Sequence, residues 1–374
     1  MQSSIISLFT KMRARKWLQF TNSHFLTGFV IGLAVTLLLR LEQQFVGSAY
    51  QTVRQGVVLK SLRYNVSQDV IGEKQEFDSQ MHRAMEELSP AEEEHFGDSA
   101  HHHDNTALAD QLTKKVRVLC WVMTSPKNLQ SKAIHVKNTW AKRCNVLLFM
   151  SSTDDPSFPS IALNVSEGRE HLTAKTMKAF KYVYDNHFND ADWFMKADDD
   201  TYVILENLRY FLSGEDSSKP VYFGHRFKVI VQQGYASGGG GYVLSKEALR
   251  RFGTTGYNSE HCAMDKGAED VQMGKCLQNL KVSLEGSLDV MGRSRFHCLP
   301  PEPFLTGTYP NWLHKYDFEG LKQGVENVSD YAISFHYVKP KQMYLLEFLV
   351  YHLHPYGVIN NIQDLNVKHN PTTS

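Results

Sequence analysis

Hydrophobic residues in the middle of the chain are arranged as in buried strands. Alternate positions from Val116 to Val122 are apolar, and residues 146–150 (VLLFM) and 193–195 (WFM) are apolar without a break. Continuous apolar runs of this length are typical of parallel strands, because helices cover both faces of a parallel sheet. The pattern therefore predicts three largely buried strands.

Two segments between these strands have the period of a helix. Residues 131–143 place Ala133, Val136 and Trp140 on one face, and residues 173–188 carry a stripe of Met and aromatic side chains. We interpret that stripe as core packing. The order strand, helix, strand, helix, strand predicts an α/β domain with a mostly parallel sheet.

The N-terminal region carries a candidate membrane segment. Residues 18–39 are uncharged, follow four basic residues and end at Arg40, and this length is just enough to span a bilayer as a helix. A cleaved signal peptide is the alternative, but no clear small-x-small cleavage site follows. We therefore predict a signal anchor at residues 18–40 and a cytosolic tail at residues 1–17, because basic residues stay on the cytosolic side. The remainder of the chain would be lumenal.

The segment after the anchor is polar and acidic. Residues 41–114 are interpreted as a stem, and the histidine triplet at residues 101–103 is interpreted as part of this solvated linker, with metal binding as the alternative. The globular domain is expected at residues 115–358, followed by a C-terminal tail at residues 359–374.

Charge and cysteine content narrow the function classes only slightly. Forty Lys and Arg residues balance forty Asp and Glu residues, so the chain lacks the basic excess of nucleic-acid-binding proteins. Asn65, Asn164 and Asn327 each begin an Asn-x-Ser triplet, which agrees with glycosylation in a lumenal compartment. In such an oxidising compartment most of the five cysteines should pair, and their odd number leaves one over.

Three consecutive carboxylates, Asp198, Asp199 and Asp200, follow the apolar run at residues 193–195. Ligands of open α/β sheets bind at the carboxyl ends of the strands. A single Asp would be enough to cap the following helix, whereas three repel one another unless a cation offsets their charge. A divalent ion held by one or two carboxylates, with substrate phosphates as further ligands, fits this pattern. The triplet therefore predicts a metal site for a nucleotide diphosphate.

Three further features are ambiguous on local grounds. Glu269 and Asp270 stand at the start of a predicted helix, where acidic residues also serve as caps. The glycine run at residues 238–241 would allow a ligand to approach the backbone, but it would equally suit a flexible loop. His336 lies in a predicted strand at residues 332–338, where a core histidine is more common than a metal ligand.

These segments together resemble the beta-1,3-glycosyltransferase family, which includes the Fringe enzymes. The resemblance covers residues 115–357, and its shared motifs are Lys137–Trp140, Lys196–Tyr202, Ser237–Tyr242 and Glu269–Val271. Within this family the chain is most similar to the core 1 beta-1,3-galactosyltransferases, at residues 118–124, 141–145, 190–203, 241–245, 334–338 and 351–357.

The resemblance implies a Rossmann-like GT-A fold in the Golgi lumen, anchored as a type II membrane protein. It implies a manganese-dependent, inverting transfer of galactose from UDP-galactose to the 3-hydroxyl of GalNAc on Ser or Thr of a glycoprotein, which makes the core 1 O-glycan. Asp198, Asp200 and His336 would then ligate the metal. Asp270 would accept the proton of the acceptor hydroxyl. A homodimer would be consistent with a stem-anchored transferase.

The resemblance also assigns binding residues and disulfides. The residues that would meet the nucleotide sugar are Met123, Glu167, Gly168, Arg169, Lys175, Asp199 and Tyr337. The residues that would meet the acceptor are Gly239, Gly240, Glu302 and Trp312. The implied disulfides are Cys120–Cys144 and Cys262–Cys276, with Cys298 left over.

The chain departs from the core 1 pattern on the acceptor side. Residues 301–304 read PEPF where the pattern has Pro-Glu-His-His, its aromatic cluster is reduced to Trp312 and Tyr316, and its Cys-Cys pair is replaced at residues 325–328. These departures favour two alternatives. One is the same chemistry with a different UDP-sugar or acceptor, and the other is a low-activity paralogue that acts as a lumenal chaperone. The intact aspartate triplet counts against the second.

Overall fold

The computed structural model describes residues 71–83 and 106–355. Within these two ranges, no helix combines the length and the apolar character that crossing a bilayer requires. The predicted signal anchor at residues 18–40 and the Asn-x-Ser triplet at Asn65 lie outside the described residues.

Helices and strands alternate along most of the described chain. The helices are α1 (residues 71–83), α2 (Ala107–Lys115), α3 (Ile134–Asn138), α4 (Leu172–His187), α5 (Leu205–Leu212), α6 (Lys246–Arg251), α7 (Glu269–Asn279), α8 (Pro301–Thr306), α9 (Asn311–Tyr316) and α10 (Pro340–Tyr351). Single 3₁₀ or π turns occupy Pro126–Asn128, Leu129–Ala133, Trp140–Arg143, Arg169–His171, Phe252–Gly256 and Gly324–Glu326.

The strands form one large sheet and two small ones. They are β1 (Val118–Met123), β2 (Val146–Ser151), β3 (Ser160–Ala162), β4 (Trp193–Asp198), β5 (Tyr202–Val203), β6 (Val221–Gly224), β7 (Arg226–Phe227), β8 (Tyr235–Ala236), β9 (Tyr242–Ser245), β10 (Ser283–Leu284), β11 (Phe296–His297) and β12 (Ser334–Phe335). The large sheet has seven strands in the order β10-β6-β9-β4-β1-β2-β3, and β9 is antiparallel to both of its neighbours. The prediction of an α/β domain with a mostly parallel sheet is confirmed.

Strand β1 shows why the middle of the chain is so apolar. It pairs in parallel with β2 on one side and with β4 on the other, so it lies in the interior of the sheet. Val118, Cys120 and Val122 pack into the hydrophobic cluster on one face, whereas Leu119 and Trp121 pack into the cluster on the opposite face. Because successive side chains of a strand point to opposite faces, both faces must be apolar when both are covered.

Two disulfides join elements of this domain. Cys120 of β1 is bonded to Cys144, and Cys262 is bonded to Cys276 of α7. Cys298 is buried and has no disulfide partner among the described residues. These are the pairs that the family resemblance implied.

Two predicted elements are interrupted in the structure. The single helix predicted over residues 131–143 is divided into a π turn, α3 and a 3₁₀ turn, and the break falls at Thr139. The backbone leaves the helical region at Thr139, with φ −111° and ψ −115°, although its N–H and its hydroxyl both donate to the carbonyl oxygen of His135, at 3.1 and 2.7 Å. The strand predicted over residues 332–338 is reduced to Ser334–Phe335, and the backbone at Tyr337 takes a positive φ of 54°.

Part of the predicted stem belongs to the folded domain. Residues 71–83 form α1, which packs Ile71, Phe77 and Met81 against a third hydrophobic cluster that contains Trp312. Residues 71–83 belong to the same compact unit as the sheet. The interpretation of residues 41–114 as a solvated linker is therefore wrong for residues 71–83.

The two described Asn-x-Ser triplets differ in access. Asn164 is exposed, whereas only 6% of Asn327 is accessible. The Asn327 amide nitrogen, the atom that would carry a glycan, donates to the Tyr309 hydroxyl at 3.0 Å. A glycan at Asn327 is thus incompatible with this structure, because the nitrogen is both buried and engaged.

Helix α10 is attached to the core through a buried carboxylate, which gives a test of stability. Glu347 accepts hydrogen bonds from Arg143 at 2.6 Å and from the Tyr202 hydroxyl at 3.0 Å. We expect Glu347→Ala to lower the free energy of unfolding by about 3 kcal/mol, because both donors lose their partner. Urea denaturation measures this change. The exposed residue Glu326 provides the control, since Glu326→Ala should change stability by less than about 0.5 kcal/mol. Equal effects of the two substitutions would contradict the assignment.

Candidate active site

The aspartate triplet lies at the carboxyl end of a central strand. Strand β4 lies between β1 and β9 and ends at Asp198, which pairs with Met123 at the end of β1. Asp199 and Asp200 follow in the turn, and Thr201 holds this turn against the glycine run by donating to the Gly239 carbonyl oxygen at 2.7 Å. The triplet therefore occupies the edge at which ligands of open α/β sheets bind.

Three side chains converge here on a candidate metal site. Ligand atoms of Asp198, Asp200 and His336 all lie within 4.8 Å of one another. Nε2 of His336 is 3.3 Å from Oδ1 of Asp200, and both atoms are buried without a well-formed hydrogen bond among the described residues. Two carboxylates and an imidazole are good donors for a divalent ion, so these residues fit a metal. His336 is therefore not simply a core histidine.

The site keeps Asp200 ionised. Burial raises the pKa of a carboxyl group, but for Asp200 the adjacent His336 and then Lys132 more than offset this effect and hold its pKa below the ordinary value. An ionised carboxylate is the form that binds a metal.

Asp199 has different surroundings from its two neighbours. Its Oδ2 accepts from the Thr124 hydroxyl at 2.8 Å and from the Asn128 amide at 3.0 Å. Burial is the largest influence on its carboxyl group and, together with the charge of Asp200, raises the pKa to about 6 although Lys132 acts in the opposite direction. Asp199 thus ties the triplet to the loop after β1.

Two buried lysines offset the charge of the triplet, and the sequence analysis missed both. Nζ of Lys196 lies 2.6 Å from Asp198 and 3.7 Å from Glu269. Nζ of Lys132 lies 3.6 Å from Asp200 and 3.8 Å from Asp199. The repulsion that suggested a metal is therefore partly relieved by the protein itself. A Lys inside the apolar strand WFMKAD was the signal for Lys196, because a buried charge is costly unless it is paired.

A cavity of about 660 Å³ opens beside the triplet, and we call it the Lys175 cavity. Its lining includes the triplet and most of the residues that the resemblance assigned to the nucleotide, namely Met123, Glu167, Gly168, Arg169 and Lys175. Lys175 is 2% exposed and bonds to Glu167 at 2.7 Å and to the Thr124 carbonyl oxygen at 2.8 Å. The structure thus brings this predicted set together in one cavity.

A second cavity of about 460 Å³, the Asp270 cavity, adjoins the first and shares Asp198 and Arg169 with it. Its lining includes Asp270, Gly239, Trp312 and Tyr337. Tyr337 therefore lines this cavity, whereas the resemblance assigned it to the nucleotide. Asp198 lines both cavities, so the candidate metal site stands where the two meet.

Glu269 and Asp270 have separate tasks although they are adjacent. Glu269 is buried and accepts from the Thr176 and Tyr242 hydroxyls, each at 2.9 Å. Asp270 faces the cavity that bears its name, and its Oδ1 accepts from the Val271 backbone at 2.9 Å. A backbone contact thus accounts for one oxygen of Asp270, and the other oxygen is available for chemistry.

Two residues predicted for the acceptor are not brought to the site. Glu302 is exposed in the first turn of α8 and lines neither cavity. Gly240 is buried and lines neither cavity, and its carbonyl oxygen accepts from the Ser334 hydroxyl at 2.5 Å. Gly239 and Trp312 do line the Asp270 cavity, so the acceptor set is only partly assembled.

Comparison with known proteins agrees with this geometry. The Fringe-like family model matches residues 113–299, which include the triplet and Asp270 but not His336. The chain belongs to the Fringe-like family and is a glycosyltransferase.

Three curated relatives show how the similarity is distributed. Glycoprotein-N-acetylgalactosamine 3-beta-galactosyltransferase 1 of Xenopus laevis is 47% identical over 264 residues, which are 69% of this chain and 73% of the relative. Beta-1,3-glucosyltransferase of Mus musculus is 29% identical over 57% of this chain and 43% of the relative. Chondroitin sulfate synthase 3 of Mus musculus is 30% identical over 42% of this chain and 20% of the relative.

The position of Gly239 generates a test of the metal site. A Cβ atom at Gly239 would lie 1.9 Å from Cε1 of His336, whereas at Gly240 its nearest neighbour would be the His297 carbonyl oxygen at 3.3 Å. We expect Gly239→Ala to displace His336 and to weaken Mn²⁺ binding about 10- to 100-fold. Gly240→Ala is the matched control and should weaken Mn²⁺ binding far less. Electron paramagnetic resonance of free Mn²⁺ in a titration measures both, and equal affinities would contradict the placement of His336.

Proposed function

We propose that this chain transfers galactose from UDP-galactose to the 3-hydroxyl of GalNAc linked to Ser or Thr of a glycoprotein. The observation that carries the proposal is the position of Asp198, Asp200 and His336 at the meeting point of two cavities. A donor in one cavity and an acceptor in the other would meet at C1 of the sugar, beside the leaving diphosphate. The name of the Xenopus laevis relative supports the choice of sugar and acceptor.

The Lys175 cavity is the proposed donor subsite. Asp198, Asp200 and His336 would hold a Mn²⁺ ion, which when bound supplies Lewis-acid stabilisation of the leaving diphosphate. Arg169 lines this cavity and would place a positive charge near the phosphates. Lys175 is fixed by its contacts with Glu167 and the Thr124 carbonyl oxygen, so it would position this wall of the subsite.

The Asp270 cavity is the proposed acceptor subsite. The oxygen of the GalNAc 3-hydroxyl forms the new bond to C1 of galactose while the bond from C1 to the UDP oxygen breaks. The hydroxyl proton passes to the free carboxylate oxygen of Asp270. One displacement of this kind inverts the anomeric centre, so an α-linked donor would give a β-linked product.

We propose a Golgi membrane location, with the domain in the lumen. This proposal rests on the predicted signal anchor at residues 18–40 and agrees with the exposed Asn-x-Ser triplet at Asn164. The two disulfides also suit an oxidising compartment.

The full chain, purified in detergent, tests the proposed reaction. We expect UDP release from UDP-galactose that depends on a GalNAc-α-peptide and on Mn²⁺, and that a chelator abolishes. Acceptor-independent hydrolysis alone would contradict the proposed acceptor. Transfer from another UDP-sugar in preference to UDP-galactose would contradict the proposed donor.

The base assignment has its own test. Asp270→Asn should lower kcat for transfer about 10²- to 10⁴-fold, because the amide cannot accept the proton. The Kd for UDP should stay unchanged, since Asp270 does not line the Lys175 cavity. Asp185→Asn, at an exposed position of α4, is the matched control. Transfer at the control rate by Asp270→Asn would exclude Asp270 as the base.

A further inference from the structure

Helix α1, from the predicted stem, forms one side of the Asp270 cavity. Six of its residues contribute to the lining, namely Ile71, Lys74, Gln75, Asp78, Ser79 and His82. The helix is held in place by apolar contacts, with the rings of Phe77 and Trp312 at 5.7 Å and those of Phe77 and Tyr337 at 6.1 Å. The cavity wall is therefore completed by a segment that precedes the sheet in the chain.

Lys74 is the charged centre of this wall. Its ammonium group lies 2.9 Å from Asp78 and 3.8 Å from Oδ2 of Asp270. Oδ1 of Asp270 already accepts from the backbone, so Lys74 faces the oxygen that is left for the reaction. Burial by itself lowers the pKa of Lys74, but the charges of Asp270 and then Asp78 more than offset this effect, so the pKa is raised and the ammonium stays charged.

Asp78 connects the same helix to the metal side of the site. It lies one turn after Lys74, and its Oδ1 accepts from the Tyr337 hydroxyl at 2.7 Å. The Tyr337 ring stacks on His336 with 3.7 Å between centroids. Tyr337 has a positive φ of 54°, a strained conformation that its surroundings must hold. Helix α1 therefore contacts both the candidate base and the residue beside a candidate metal ligand.

The helix leaves space for a ligand. The cavity of about 460 Å³ exists with α1 in place, and ligand cavities commonly measure about 300–1,000 Å³. The indole nitrogen of Trp312 is buried in this region without a hydrogen-bond partner among the described residues. A wall that borders a cavity of this size differs from a plug, which would fill it.

We propose that α1 is an integral wall of the acceptor subsite and that Lys74 is a positioning residue for the Asp270 carboxylate. This inference rests on the proposed function, because it assigns the Asp270 cavity to the acceptor. Without Lys74, Asp78 and Asp270 would face the cavity as two carboxylates with no cation between them, and their repulsion would move Asp270. A displacement of about 1 Å in a catalytic group can lower the rate about 100-fold.

Steady-state kinetics of the full chain test the role of Lys74. We expect Lys74→Ala to lower kcat/KM for the GalNAc-α-peptide at least 10-fold. The Kd for UDP should change less than 2-fold, because Lys74 does not line the Lys175 cavity. Lys74→Arg should recover most of the loss, since it restores the cation. Arg83→Ala removes an exposed cation from the same helix and should have no effect.

Two kinetic results and one result from hydrogen exchange would overturn the inference. Unchanged transfer in Lys74→Ala would show that Lys74 does not position the base, and increased transfer would show that α1 blocks the acceptor. Hydrogen exchange of the α1 amides in the full chain distinguishes failure of this inference from failure of the proposed function. Protected amides in a chain that transfers nothing would support the docked wall and contradict only the proposed reaction. Rapidly exchanging α1 amides would contradict the packing of α1 against the domain, whatever the transfer activity of the chain.

Discussion

The structure depends on placing three carboxylates at the buried end of a central strand. Adjacent charges of one sign must be offset, and Lys132 and Lys196 do so from within the domain. Asp199 accepts hydrogen bonds from Thr124 and Asn128. Asp198 and Asp200 instead place ligand atoms close to His336. The two lysines offset part of the negative charge of the triplet. Asp198, Asp200 and His336 supply the ligand atoms of the candidate metal site, which borders both cavities.

The sequence predicted the elements that periodicity determines and missed those that distant contacts determine. The buried strands and α4 follow from apolar spacing, and the position of the triplet follows from its place after an apolar run. The partnership of His336 with Asp200 crosses more than a hundred residues, so local pattern could only leave it open, and the family resemblance supplied it. The break at Thr139 is a change in the backbone torsion angles of one residue, which periodicity does not detect.

The stem interpretation failed for a different reason. Overall polar composition predicted a linker, yet apolar positions at Ile71, Phe77 and Met81 share one face of α1 and pack against the domain. Helical spacing inside a polar segment was the available signal. The Asp270 cavity, which we propose as the acceptor subsite, is therefore lined by residues from both α1 and the last third of the chain, so residues 301–316 alone are a weak guide to the acceptor.

The configuration of the product is the most direct test of the proposed reaction. The proposed donor and acceptor subsites adjoin at the candidate metal site, so that the acceptor oxygen would displace UDP in one step. Nuclear magnetic resonance of the disaccharide formed from UDP-galactose and a GalNAc-α-peptide should show a β linkage to the 3-oxygen. An α linkage, or a bond to another oxygen of GalNAc, would contradict the proposed arrangement of Asp270 and the two cavities.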